Sequence, residues 1–176
     1  DIQKIGIIGG GQMGGGIAQV CAAKGFDIFV LDINDEALAK GRERLENGLA
    51  REVDRGRMAA EDRDATLSRM TWSTDYSSFS DRDLVIEAAT EDEEVKKAIL
   101  RELCKNIPEH TLVASNTSSI SITRLAAQTD RPGKFCGMHF MNPVPRMQLV
   151  ELIRGIATDE DTYQTVRELT DKLGKT

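Results

Sequence analysis

Short apolar runs alternate along the chain with longer stretches in which apolar residues return every three or four positions. Runs such as "GIIG", "DIFVL" and "DLVIEAA" show no alternation of polar and apolar residues, so the strands they predict are covered on both faces, as in a parallel sheet. The pattern predicts strands near Lys4–Gly9, Asp27–Asp32, Met70–Thr74, Leu84–Glu87, Leu112–Asn116, Phe135–Phe140 and Gln148–Ile153. Between them it predicts helices over Met13–Lys24, Glu36–Gly56, Glu93–Asn106, Ile120–Gln128 and Glu160–Leu173, with a weaker one over Ala60–Arg69. Strands and helices in this alternation make an α/β fold, one domain over residues 1–176, with the helices between Glu36 and Arg69 inserted as a hairpin. Gly174 is placed to cap the last helix, after which a chain of this kind starts another strand.

Composition narrows the class. With 176 residues and 40% hydrophobic content, the chain can bury one substantial core. No apolar run approaches the roughly 20 residues needed to cross a bilayer, and no charged leader precedes an apolar stretch, so a cytoplasmic protein with no membrane contact is expected. Cys21, Cys104 and Cys136 lie far apart and without C-x-x-C spacing, which predicts reduced, mostly buried thiols and no metal site. A net charge of -6 argues against general attraction to nucleic acid, while a local basic patch can still hold an anionic ligand.

The first candidate site follows the first strand, where Gly9-x-Gly11-x-x-Gly14 opens a helix. A tight turn needs Gly9, close approach of a pyrophosphate needs Gly11 to lack a side chain, and packing of helix on strand needs Gly14. The helix N-terminus then offers free N–H groups to the phosphates, with Gln12 and Met13 beside them. The second strand ends at Asp32, eighteen residues beyond Gly14, where an acid can accept hydrogen bonds from the adenosine ribose. The following "INDE" has no arginine for a 2′-phosphate, so NAD is expected over NADP. The fold class is then a Rossmann-type, doubly wound, mostly parallel sheet. A glycine-rich turn of the same shape that binds nothing is the alternative.

The second candidate site lies in "GMHFMNPVPRMQLVELI". A reversal around Asn142–Arg146, broken by two prolines, lays the flanking strands antiparallel, with His139 and Glu151 equidistant from Pro145. Alternation puts Glu151 on one face with Leu149 and Ile153, in a partly buried region where a carboxylate needs a partner. An imidazole bonded to it is fixed in one tautomer, leaving its other nitrogen free to take a proton from an alcohol. A structural His/Glu pair fits the same pattern, but next to an NAD site a hydroxyl-deprotonating base is what hydride transfer requires.

The glycine loop with Asp32, "SNTSSISIT" from Ser115 to Thr123, and "MHFMNPVPRMQLVEL" together resemble the NAD-binding domain of the L-3-hydroxyacyl-CoA dehydrogenases, including bacterial 3-hydroxybutyryl-CoA dehydrogenases. The resemblance covers essentially the whole chain. It implies reversible, NAD-dependent oxidation of the 3-hydroxyl of an acyl-CoA to the ketone, as part of fatty acid metabolism. It also implies a helical C-terminal domain, absent from this chain, that supplies the homodimer contact and part of the substrate cleft. By the same resemblance His139 is the base and Glu151 its partner, Ser118 bonds the substrate's 3-oxygen, and Asn142 lies beside the nicotinamide. Glu91, Lys96 and Asn116 match cofactor-contacting positions. Each has a plainer alternative: Ser118 and Ser119 stand where a helix N-cap belongs, Asn116 suits a turn, Glu91 suits the start of a helix, and Lys96 suits a solvated surface.

The helix over Glu36–Gly56 carries a further pattern. At about 100° per residue, Lys40, Arg44, Arg51 and Arg55 fall in a strip about 60° wide, opposite Leu38, Leu45, Leu49 and Val53. This strip is placed to meet the phosphates of coenzyme A, a role that the resemblance also gives to the helical hairpin; a solvated helix face is the alternative. Gly41 and Gly48 flank the strip and are expected to let a ligand approach. The remaining alternatives are a dehydrogenase of a free hydroxy acid or sugar acid, and a module that keeps NAD without chemistry.

Overall fold

The computed structural model describes residues 1–176. Seven strands form one sheet: β1 (Lys4–Ile8), β2 (Asp27–Leu31), β3 (Met70–Ser73), β4 (Leu84–Glu87), β5 (Leu112–Ser115), β6 (Phe135–Phe140) and β7 (Val150–Arg154). Their order across the sheet is β3-β2-β1-β4-β5-β6-β7, with every pair parallel except β6 with β7. Sequence order reverses between β1 and β4, so a crevice opens there at the carboxyl ends of the strands.

The helices are α1 (Gln12–Ala23), α2 (Asp35–Asp54), α3 (Ala60–Ser68), α4 (Glu93–Cys104), α5 (Ile122–Ala126) and α6 (Glu160–Lys172). Buried side chains divide into two cores. The larger packs Ile5, Ile7, Ile28 and Ile86 with Ile17 and Cys21 of α1, Leu45 and Leu49 of α2, and Val166 and Leu169 of α6. The second packs Val85 and Val113 with Leu100 and Leu103 of α4 and Leu125 of α5. The sheet is therefore covered on both faces, which is why its strands read as unbroken apolar runs. α2 and α3 form the expected hairpin between β2 and β3. No helix is long and apolar enough to cross a membrane.

Most element ends fall within two residues of the sequence reading, and the shifts of two elements bear on the site. α5 spans Ile122–Ala126 instead of Ile120–Gln128, and its cap is Ser121, whose side chain accepts from the Arg124 N–H. Ser118 and Ser119 therefore cap nothing; the chain from Thr117 to Ile120 is a turn in which Thr117 Oγ1 accepts from the Ile120 N–H at 3.1 Å. β7 begins at Val150 instead of Gln148, where its pairing with β6 starts opposite Phe140, and Gln148 and Val150 bond the backbone of Thr176 on the other side. Gly174, at φ +74°, ends α6 as expected and turns the chain into that pairing.

Candidate active site

Four chain segments leave the carboxyl edge of the sheet and meet over the crevice. The first is the glycine loop after β1. Gly9 has φ +107°, and a Cβ there would stand 2.8 Å from the Ala88 carbonyl oxygen. A Cβ on Gly14 would stand 1.8 Å from the Gly9 carbonyl oxygen, so only glycine lets α1 start against the loop. At Gly11 a Cβ would meet nothing within 4 Å, and that open backbone faces the crevice. Asp32, one residue past β2, accepts from the Gly10 N–H at 2.8 Å and from the Ile33 N–H at 2.8 Å, so its carboxylate is anchored at the loop. This combination of bare backbone, helix N-terminus and fixed acid suits a dinucleotide.

β6 and β7 bring the second group. Their register sets His139 opposite Glu151, and Nδ1 of the imidazole lies 2.9 Å from Oε1 of the carboxylate. A carboxylate accepts, so Nδ1–H donates to Glu151, and in the neutral ring the lone pair is on Nε2. The expectation of a partly buried region holds for His139, 21% exposed, and is corrected for Glu151, whose side chain is 55% exposed. β7 is an edge strand that α5 covers on that face only at Ile153, and Leu149 on the other side of Glu151 is also half exposed. On the loop after β6, Asn142 Oδ1 accepts from Gln12 Nε2 at 3.2 Å, which ties the Pro143–Pro145 turn to the start of α1.

The third and fourth segments follow β4 and β5. Asn116 Oδ1 accepts from the Phe140 N–H at 2.7 Å, bracing the strand end that carries His139. Glu91 Oε2 accepts from the hydroxyls of Thr117, Ser118 and Ser119, each at 3.2 Å. Lys96, read as a surface residue in the plainer account, is buried. Its ammonium donates to both oxygens of Glu87 at 2.7 and 2.9 Å and stands 3.8 Å from Glu91. Sequence reasoning missed Glu87, an acid at the end of an apolar run and fully buried.

A cleft of about 410 Å³ joins these segments, lined by Gly11, Gln12, Met13, Glu91, Lys96, Asn116, Ser118, His139 and Asn142. It brings together every sequence-derived cofactor and chemistry residue except Gly9, Gly14, Asp32 and Glu151. The two glycines and Asp32 shape the neighbouring loop, and Glu151 stands behind His139.

A second cleft, of about 250 Å³, runs between α1, α2 and the Asn142–Arg146 loop. Arg44, Arg51 and Arg55 line it together with Arg146, which the helical pattern had no means to reveal. Lys40 does not join them; it pairs with Glu36 at 3.3 Å. Gly41 and Gly48 line this cleft as well, and Gly41 has a second reason to be glycine: a Cβ there would stand 2.4 Å from the Gly10 carbonyl oxygen, so its absence lets α2 pack on the loop.

Comparison with known proteins shows the family. Residues 4–176 match the family model for the 3-hydroxyacyl-CoA dehydrogenase NAD-binding domain. The chain belongs to that family. It is 51% identical over 174 residues to a 3-hydroxybutyryl-CoA dehydrogenase of Bradyrhizobium diazoefficiens, a match covering 99% of the chain and 59% of that protein. It is 45% identical to the fatty acid oxidation complex subunit alpha of Acinetobacter baumannii, over 99% of the chain and 24% of that protein. The crystal structure of the (S)-3-hydroxybutyryl-CoA dehydrogenase of Ralstonia eutropha superposes with a TM-score of 0.97 at 45% identity, covering 99% of the chain and 62% of that structure. The chain thus spans about three fifths of the 3-hydroxybutyryl-CoA dehydrogenases it matches.

Proposed function

We propose that this chain is the cofactor-binding and proton-transferring part of an NAD-dependent L-3-hydroxyacyl-CoA dehydrogenase. The observation that carries the reading is the His139–Glu151 pair, with Nε2 of the imidazole free, in a residue that lines the same cleft as the bare backbone of Gly11. NAD, when bound, supplies the acceptor for the hydride leaving C3 of the substrate. Gly9, Gly11 and Gly14 shape its pyrophosphate seat with Gln12 and Met13, and Asp32 holds the adenosine ribose. Lys96, Glu91 and Asn116, which line the same cleft, would hold its nicotinamide end.

His139 takes the hydroxyl proton at Nε2 as the hydride departs, and the C3–oxygen bond becomes the ketone. Glu151 stabilises the imidazolium and keeps the ring in the productive tautomer. Ser118 and Asn142 hold the substrate oxygen and carbonyl in line. In the reverse direction protonated His139 returns the proton. Arg44, Arg51 and Arg55, with Arg146, hold the phosphates of the coenzyme A arm along the second cleft.

The remaining length of the matched relatives leaves room for a further domain in the full protein, helical by the family resemblance, which covers the exposed side of Glu151 and supplies a homodimer contact. Three free cysteines, two of them buried, suit a reducing cytoplasm. Titration of the full-length protein with NADH, with and without acetoacetyl-CoA, tests the reading. NADH is expected to bind alone and to be consumed only with the thioester. Consumption with free 3-keto acids and no inhibition by coenzyme A would replace it with a non-CoA dehydrogenase, and binding without consumption by any ketone would leave a cofactor-binding module.

A further inference from the structure

Glu87 closes β4 in a run, "LVIE", whose four residues are all buried. Its carboxylate accepts four hydrogen bonds. Lys96 Nζ donates to Oε1 at 2.7 Å and to Oε2 at 2.9 Å, the Ser115 hydroxyl donates to Oε1 at 2.7 Å, and the Ala89 N–H donates to Oε2 at 2.8 Å. These bonds saturate it. Stability alone does not account for an ion pair here, since a buried pair is often no better than well-packed apolar residues of the same volume.

Position accounts for it. The partners come from three elements around the cleft: Ala89 from the β4–α4 turn, Lys96 from α4, and Ser115 from the residue before Asn116. The turn also abuts the glycine loop, where the Ala88 carbonyl oxygen fills the space of a Gly9 side chain. Glu91, at the far end of the turn, holds the Ser118 hydroxyl with one oxygen and stands 3.8 Å from Lys96 with the other. If Glu87 lets go of Lys96, Glu91 becomes the nearest carboxylate to the ammonium, and Ser118 loses its anchor.

We propose that Glu87 is a positioning residue of this site, acting through Lys96 and the Ala89 N–H to fix the β4–α4 turn between the glycine loop and Ser118. In this way it sets the seat of the nicotinamide end of the cofactor. The inference rests on the dehydrogenase reading.

The test uses the full-length protein and two variants. Glu87→Asp keeps the charge and the partner types but draws the carboxylate back by one methylene. It is expected to melt near the parent temperature, to bind NADH more weakly, and to consume bound NADH about 10- to 100-fold more slowly with acetoacetyl-CoA in a single turnover, with the thioester KM little changed. The second variant, Glu87→Gln, keeps the volume and leaves Lys96 in place while removing the charge that holds it. It is expected to fold, with Lys96 turned to Glu91, and to bind NADH more weakly than the parent. Parent-like NADH affinity and turnover in either variant overturns the proposal; if Glu87→Asp does not fold, Glu87→Gln decides. A parent protein that binds NADH without consuming it removes the dehydrogenase reading separately, and the NADH affinities of the variants still test the positioning role.

Discussion

Nδ1 of His139 lies 2.9 Å from Oε1 of Glu151, and the two residues are direct partners across β6 and β7. Sheet register therefore fixes which acid the imidazole meets. Because the contact leaves the glycine loop and Asp32 untouched, proton transfer and cofactor binding are separable. His139→Gln in the full-length protein is expected to lower turnover by about 10²- to 10⁴-fold while NADH affinity stays near the parent value. Glu151→Gln is expected to cost less, since that side chain is half exposed and water can replace part of its role. Parallel measurement of kcat and of NADH binding decides; an equal loss of both in His139→Gln means a structural histidine.

Asp32 offers a second separable change. Its carboxylate is anchored by the N–H groups of Gly10 and Ile33, and an amide in its place keeps one oxygen that can still accept from Gly10. Asp32→Asn is thus expected to leave the loop intact and to remove the charge that favours ribose hydroxyls over a 2′-phosphate. A charge-assisted hydrogen bond contributes about 1.5–3 kcal/mol, so NADH affinity is expected to fall about 10- to 100-fold and preference over NADPH to narrow. Trp72 reports it: the only tryptophan stands 3.9 Å from where a Gly10 Cβ would lie, so its fluorescence reads both titrations. Unchanged discrimination between the two cofactors would take Asp32 out of the ribose site.

What the sequence made legible was whatever local periodicity or one short turn decides. Strands buried on both faces read directly, and the two prolines between His139 and Glu151 force a reversal whose symmetry yields the pairing. Long-range contacts did not read. Nothing near Glu87 announces that Lys96, nine residues away, will bury itself against it, because "DEEVKK" scans as a solvated helix start. The serine run offered several caps, and only the three-dimensional turn selects Ser121. Arg146 meets Arg44 and Arg51 only because the Pro loop folds over α1.

Gly41 and Gly48 sit one above the other on α2 and are expected to respond in opposite directions to alanine. A methyl at Gly41 collides with the Gly10 carbonyl 2.4 Å away, in backbone that cannot swing aside. Gly41→Ala is expected to cost about 1–3 kcal/mol and to weaken NADH binding by displacing the loop. A methyl at Gly48 meets only the tip of Arg51 at 3.9 Å, so Gly48→Ala is expected to stabilise the helix by about 0.5–1 kcal/mol. Urea midpoints of the two variants check this. Stabilisation by Gly41→Ala would show that the helix sits further from the loop than described.

Acid sensitivity follows from the carboxylates that hold arginines. The Arg82 guanidinium, hydrogen-bonded to Asp81 with Lys4 beside it, pulls that carboxyl down from 3.8 to about 2 against a smaller opposing effect of burial. Arg131 lowers Asp130, and Arg124 with Lys97 lowers Glu93. In each case the folded group is the stronger acid, so the unfolded chain takes up protons first as pH falls. The stabilisation is complete above the ordinary carboxylate values of 3.8 to 4.5 and is lost as pH drops through them towards about 2. Melting temperatures are therefore expected to hold steady from neutral pH to about 4.5 and to decline below it. Asp81→Asn is expected to lower the plateau slightly and flatten the decline, the effect being modest because the Asp81 side chain is 52% exposed. Melts of parent and variant across that range measure both, and a decline equally steep in the two proteins would place the acid-sensitive groups elsewhere.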